Sequence, residues 1–148
     1  MAALTLPAPP LPQLMEALME LESGKAGPAS LALANAALRA GLPRKSVSAF
    51  LVEVVRAARE LREHLLAAPP DFDLTVAILT PDQALAYLYE VEQAVPGPIS
   101  ALIAKNWGGL DYPDRSDLIA TTLGAARNLR EHWQSQIGPV RWHLAASA

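Results

Sequence analysis

Apolar residues recur at steps of three and four along much of the chain, which is the spacing of one face of an α-helix. The clearest stripe comprises Val47, Phe50, Leu51, Val54, Ala58, Leu61 and Leu65. A second stripe starts at Leu118 and continues to Trp133. Charged residues occupy the opposite face of both stripes, so the pattern predicts two long amphipathic helices.

Several short blocks of sequence occur twice, in the same order. Glu20-Leu21-Glu22 returns as Glu90-Val91-Glu92, GPAS at 27–30 returns as GPIS at 97–100, and ARELREH at 58–64 returns as ARNLREH at 126–132. Repetition at a fixed period indicates a repeated structural unit. The blocks predict an internal duplication, with helical repeat one at 11–67 and helical repeat two at 81–137.

Proline and glycine divide each repeat into three helices. Thr80 is a good N-cap with Pro81 at the first helical position, and a Gly-Pro pair precedes the second helix of each repeat. These second helices are apolar nearly all round, so we expect them in the middle of the bundle. A proline-rich leader (1–10), a linker (68–80) and a C-terminal tail (138–148) complete the chain.

The prediction is an all-α fold, a compact helical bundle of about six to seven helices in one structural domain. Neither repeat could bury its central helix alone, so the two repeats pack about a pseudo-two-fold axis or stack as a short solenoid. Composition agrees, because 51% of the 148 residues are hydrophobic, with alanine and leucine dominant and aromatics only 5%.

Composition also excludes some classes of site. The chain has no cysteine, so disulfides, thiolate metal sites and cysteine nucleophiles are excluded. A net charge of −3 gives no general attraction to nucleic acid or to anionic membranes. No apolar run approaches the ~20 residues of a membrane span and the start lacks a secretory signal, so we expect a cytoplasmic protein without a membrane partner.

The repeated ARxLREH block is interpreted as the second half of each long helix. Its alanine and leucine pack inward, and its charges form i,i+4 pairs from Arg59 to Glu63 and from Arg127 to Glu131. His64 and His132 lie near the ends of these helices, where a positive charge is favourable. Neither histidine has a convincing set of metal ligands around it, so no metal, cofactor or catalytic residue is predicted.

Four carboxylates leave an enzyme alternative open. Glu60 and Glu63 in the first repeat, with Asp114 and Asp117 in the second, resemble the paired carboxylates with which all-α nucleotide phosphohydrolases hold magnesium. The two pairs lie at non-equivalent places in the repeats, and Glu63 is bracketed by arginines. That alternative requires all four side chains to converge on one cavity.

The segment NWGGLDYP at 106–113 has the most unusual composition. Trp107 ends an apolar helix, Gly108 and Gly109 follow, and Tyr112 precedes a proline. One interpretation is a helix end with Trp107 plugging the bundle. The other is a partner-binding patch made of Trp107, Gly108, Gly109, Tyr112 and Trp142, because exposed aromatics beside glycines often anchor partners.

The chain also resembles an uncharacterised bacterial all-α family associated with type VI secretion gene neighbourhoods. The similar segments are LRAGLPRKSVSAF, TPDQALAYLYEVEQA and ALIAKNWGGLDYP, within about residues 28–130. The resemblance implies a helical accessory protein and supplies no catalytic residues. We therefore expect a non-enzymatic interaction module, an adaptor or chaperone-like protein, whose partner is another protein or a second copy in a homodimer.

Overall fold

The structure, a computed structural model, describes residues 3–6, 9–67, 79–137 and 142–145. Its described part contains six α-helices, which confirms the predicted all-α class. They are α1 (Leu11–Glu22), α2 (Pro28–Arg39), α3 (Val47–Ala67), α4 (Pro81–Gln93), α5 (Pro98–Trp107) and α6 (Tyr112–Ile137). A short 3-10 turn at Arg44–Ser46 leads into α3. Most of the predicted linker, residues 68–78, lies outside the described residues.

Helices α1 and α4 form the centre of the bundle and pack most extensively against each other. Both bury large apolar side chains on more than one face, including Leu14, Met15 and Leu18 of α1 and Leu85 and Leu88 of α4. Helices α2 and α3 pack against α1, and α5 and α6 pack against α4. Burial of this apolar surface is the main force that holds the helices together.

The expectation that α2 and α5 occupy the middle of the bundle is wrong. Helix α2 buries only a narrow stripe, Ala29, Ser30, Leu33 and Ala37, and it leaves Leu31 57% exposed. Its apparent hydrophobicity comes largely from alanine, which is small enough to face water at little cost. The bulky side chains that fill a core belong to α1 and α4.

The predicted start of α4 is confirmed in detail. Thr80 is the N-cap and Pro81 occupies the first turn. The Thr80 hydroxyl accepts a hydrogen bond from the Gln83 backbone N–H, and the Gln83 side chain accepts one from the Thr80 N–H at 3.0 Å. This reciprocal arrangement is a capping box, which satisfies two of the donors that a helix start leaves unpaired.

Two short strands join the predicted leader to the predicted tail. β1 (Ala3–Leu6) pairs antiparallel with β2 (Trp142–Ala145), with Leu4 opposite Leu144 and Leu6 opposite Trp142. Strands were not predicted for these segments. Each segment of four residues contains a single polar residue, Thr5 or His143, which is too weak a pattern to predict pairing.

Candidate functional site

A buried carboxylate on α1 caps the start of α2. The Glu20 side chain accepts hydrogen bonds from the backbone N–H groups of Gly27, Ala29 and Ser30, at 3.0, 3.0 and 2.8 Å, and from the Ser30 hydroxyl. A helix start leaves several N–H groups without internal partners and carries a partial positive charge. Glu20 therefore supplies from a neighbouring helix the cap that Gly27, at the N-cap, cannot.

Glu90 on α4 caps the start of α5 in the same way. It accepts hydrogen bonds from the backbone N–H groups of Gly97, Ile99 and Ser100, at 2.8, 2.9 and 2.7 Å. A Cβ atom at Gly97 would lie 2.8 Å from the Glu90 side-chain Cδ, and one at Gly27 would lie 2.6 Å from that of Glu20. The glycine of each GPxS block is thus required for the close approach of the capping carboxylate.

A third carboxyl, Glu16, lies between the two caps. Its side chain is fully buried on α1, and neither of its oxygens accepts a hydrogen bond from a described residue. Burial, with smaller contributions from Glu90 and Glu20, raises the pKa of Glu16 to about 10. Glu16 is therefore neutral at pH 7, and its carboxyl O–H is the donor that can face the neighbouring carboxylates.

These three residues, the carboxyl cluster of Glu16, Glu20 and Glu90, are sealed inside the α1–α4 interface. Each is 1% exposed or less. Two neighbouring tyrosines are also buried, and burial raises the pKa of both Tyr87 and Tyr89. A substrate in solution does not reach the cluster as the fold stands, so its chemistry is to cap two helices and to hold a proton.

Three arginines of the ARxLREH blocks pair with glutamates of neighbouring helices, Arg59 and Arg62 with α1 and Arg130 with α4. Arg62 binds Glu22 with its Nη1 2.6 Å from Oε1, and Arg130 binds Glu92 at 2.8 Å. Arg59 also reaches Glu22, which corrects the predicted pairing with Glu63. The hydrogen bond from Arg62 lowers the pKa of Glu22. Tertiary packing of α3 on α1 and of α6 on α4 brings these charges together, contacts that periodicity along one helix does not reveal.

The segment NWGGLDYP forms the turn between α5 and α6. We call residues 107–117 the α5–α6 corner. Trp107 is only 4% exposed and belongs to the core, so the interpretation of its ring as a surface anchor is wrong. Gly108 and Gly109 are exposed. Tyr112 is 76% exposed, and the side chain of Trp142 lies outside the described residues.

The geometry separates the roles of the two glycines in this corner. A Cβ atom at Gly108 would lie 2.6 Å from the backbone oxygen of Ala104, so Gly108 is required for the helix end. A Cβ atom at Gly109 would meet nothing within 4 Å. The surface around Gly109 is open, and a partner could approach the backbone closely there.

The carboxylates of the phosphohydrolase alternative do not form a metal site in the described part of the chain. Glu60, Glu63, Asp114 and Asp117 are all exposed. Among the described residues, no group of three or more histidine or carboxylate side chains is placed to hold a metal ion. The convergence that this alternative requires is therefore not seen.

The two repeated histidines both contact one tryptophan. The ring of His64 lies edge-on to that of Trp133, with centroids 4.8 Å apart, and His132 makes a similar contact at 5.4 Å. Trp133 is 3% exposed. The histidines thus cover a buried tryptophan where α3 and α6 approach each other, and their role here is packing.

Sequence reasoning missed the carboxyl cluster, although part of its signal was present. The repeated order is a glutamate, then a glycine seven residues later and a serine three residues after that, as in Glu20, Gly27 and Ser30. A glutamate shortly before a Gly-Pro helix start could have been interpreted as a cap supplied by the preceding helix. Nothing in the sequence marks Glu16, because position 86, 70 residues later, is alanine.

None of the described helices combines the length and apolar character needed to cross a membrane. Comparison of the chain with protein-family models, with curated protein sequences and with solved structures gave no match. A functional proposal for this chain therefore rests on the geometry of the described residues.

Proposed function

We propose that this protein is a non-enzymatic interaction module, an adaptor or accessory protein that binds another protein through its α5–α6 corner. The observation that carries the proposal is Tyr112, whose side chain is 76% exposed at the first position of α6. Tyrosine is enriched at the centres of protein interfaces, because it adds a large contact area with few side-chain rotations to restrict.

The neighbours of Tyr112 support a recognition surface. Leu110 is 38% exposed two residues before it, and Gly109 leaves open space for a partner. Trp107 beneath the corner is buried in the core and fixes the end of α5. The corner thus combines exposed apolar groups with a rigid support, which lowers the entropy cost of binding.

We further propose that the two three-helix units are copies of one ancestral unit. Matched contacts support this: Glu20 and Glu90 cap equivalent helices, and Glu22 and Glu92 bind equivalent arginines. The corners of the two units differ, because the segment between α2 and α3 has no tyrosine or tryptophan. The duplication therefore gives one aromatic recognition surface and not two.

The cellular setting remains part of the proposal. The resemblance to a secretion-associated family favours an accessory role in a bacterial secretion or assembly system, within the cytoplasm. The phosphohydrolase alternative has no comparable support, because its four carboxylates are exposed and do not form a metal-binding group among the described residues.

The test is capture of partners from the native lysate with tagged wild-type protein and two matched variants. Tyr112→Ala removes the exposed ring of the corner, and Val52→Ala removes a 64% exposed side chain elsewhere, on α3. We expect a specific protein to be captured by the wild type and by Val52→Ala, and to be lost with Tyr112→Ala. Equal capture by all three proteins would remove the α5–α6 corner as the binding surface.

A further inference from the structure

Among the described residues, exposed charged side chains without an ion pair form two groups of opposite sign. The first is the turn between α2 and α3, residues 39–46, which we call the α2–α3 corner. Arg39, Arg44 and Lys45 are exposed there. Residues 23–52 contain no aspartate or glutamate, although the whole chain has a net charge of −3. This corner is a local basic surface on an acidic protein.

The second place is the α5–α6 corner. Asp111, Asp114 and Asp117 are exposed there, with Arg115 as the one basic residue between them. Asp114 lies 70 residues after Arg44, so the two residues hold corresponding places before and at the start of the third helix of each unit. The two three-helix units therefore have equivalent glutamate caps, but the α2–α3 corner of one is basic and the α5–α6 corner of the other is acidic.

Several other carboxylates of the described chain are paired locally, whereas Glu63 and Glu131 are exposed without an ion pair to a described residue. Glu22 and Glu92 bind arginines of the helices packed beside them, and Arg56 on α3 binds Glu53 and Glu60. In the described part of the chain, no ion pair joins the two corners to each other. Helix α2 packs against α1 and α3, whereas α5 packs against α4, so the corners belong to different groups of helices.

We propose that the occupant of the α5–α6 corner is a second copy of this chain, which docks its basic α2–α3 corner there. Charge complementarity selects this partner, because three carboxylates of one corner face three cations of the other. Each corner also presents apolar surface beside its charges, Leu38 at 37% exposed on one side and Leu110 and Tyr112 on the other. This proposal rests on the proposed function and names its partner.

The symmetry of such a contact follows from its two unlike surfaces. A head-to-tail contact leaves one basic and one acidic corner unused on every pair, so further copies can add until the assembly closes into a ring or continues as a filament. Exposed ion pairs are individually weak and are screened by salt, so the association is expected to be strong only at low ionic strength.

The experiment measures the mass of the purified protein by sedimentation at low and high salt. We expect species larger than the 15.8 kDa monomer that grow with protein concentration and disappear in high salt. Arg44→Glu/Lys45→Glu makes both corners acidic, and Asp114→Lys/Asp117→Lys makes both basic. Each variant alone is expected to remain monomeric, and an equimolar mixture of the two is expected to associate again.

Controls separate charge at the corners from charge in general. Arg127→Glu and Glu131→Lys reverse exposed charges on α6 outside both corners and are expected to associate as the wild type does. Far-ultraviolet circular dichroism checks that every variant keeps its helices. A monomeric wild type at all concentrations, or a mixture that stays monomeric, would overturn the proposal. Lysate capture that depends on Tyr112 would still stand in that case and would point to a different protein partner.

Discussion

A buried glutamate caps the start of α2 and another caps the start of α5. Both accept three backbone hydrogen bonds, but the fourth group beside each glutamate differs. The Glu20 carboxylate accepts hydrogen bonds from three backbone N–H groups and from the hydroxyl of Ser30. The Glu90 carboxylate accepts hydrogen bonds from three backbone N–H groups, and the buried carboxyl of Glu16 lies beside it. One cap is thus completed by a group that does not titrate in the physiological range, and the other lies beside a carboxyl whose raised pKa keeps it protonated at pH 7.

This difference between the two caps arises from one residue, Glu16. Position 86, 70 residues after Glu16, is alanine, so the second unit contributes no carboxyl of its own to the cluster. The asymmetry lies in the α1–α4 interface, where the two units meet. We therefore expect a single residue there, Glu16, to make the stability of the bundle depend on pH.

The largest expected effect comes from removing either capping carboxylate. Glu20→Ala and Glu90→Ala each remove the acceptor of three buried or part-buried N–H groups and create a cavity in the core, so we expect each to lower the free energy of unfolding by about 3–5 kcal/mol. Urea denaturation at pH 6 measures the change. Glu63→Ala, an exposed control on α3, should stay within about 0.5 kcal/mol of the wild type.

Equal losses at both caps would show that their fourth partners are energetically equivalent. A larger loss for Glu20→Ala would indicate that the Ser30 hydroxyl contributes more than the Glu16 carboxyl does. A loss below about 1 kcal/mol for either variant would contradict the assignment of that carboxylate as a buried cap.

The second effect is a fall in stability as pH rises, caused by Glu16. Its pKa is raised in the folded protein to about 10, from 4.5 in the unfolded chain. Between these values the unfolded state has lost a proton that the folded state keeps, so the stabilisation is fully present below pH 4.5 and is lost as pH rises. For one proton the slope is about 1.4 kcal/mol per pH unit at most.

Glu16→Gln tests the source of this slope. The amide keeps the shape of the neutral carboxyl and can donate to Glu90 without titrating. Urea denaturation of both proteins at several pH values from 5 to 9 should show a falling free energy of unfolding for the wild type and a flatter profile for the variant. Parallel profiles would mean that Glu16 is not the group that holds the proton.

Sequence patterns predicted those features of the fold that depend on local chemistry. Helical spacing and proline placement located the helices, and the Thr80 cap was predicted residue by residue. The central position of α1 and α4 was not predicted, because apolar composition does not distinguish exposed alanine from buried leucine. The Glu22 and Glu92 ion pairs and the carboxyl cluster join residues on different helices, so periodicity within one helix could not reveal them.

The predicted recognition surface is likewise exposed in part and buried in part. Tyr112 and the two glycines of the α5–α6 corner are exposed, as a recognition surface requires, whereas the ring of Trp107 is buried. Sequence composition identifies an unusual turn, but only packing decides which of its aromatic rings faces the core. The opposite charges of the two corners were present in the sequence and acquire meaning once both corners are known to be exposed.

The smallest expected effect comes from adding one methyl group beside each cap. A Cβ atom at Gly97 would lie 2.3 Å from Glu16 Oε1 and 2.8 Å from Glu90 Cδ, whereas the three atoms nearest to one at Gly27 all belong to Glu20, the closest at 2.6 Å. Overpacking of a buried site costs about 1–3 kcal/mol, and two crowded carboxyls have less room to move than one. Gly97→Ala should therefore lower the thermal midpoint at pH 6 more than Gly27→Ala does. The reverse order would mean that Glu16 moves aside easily and does not tie the two caps together.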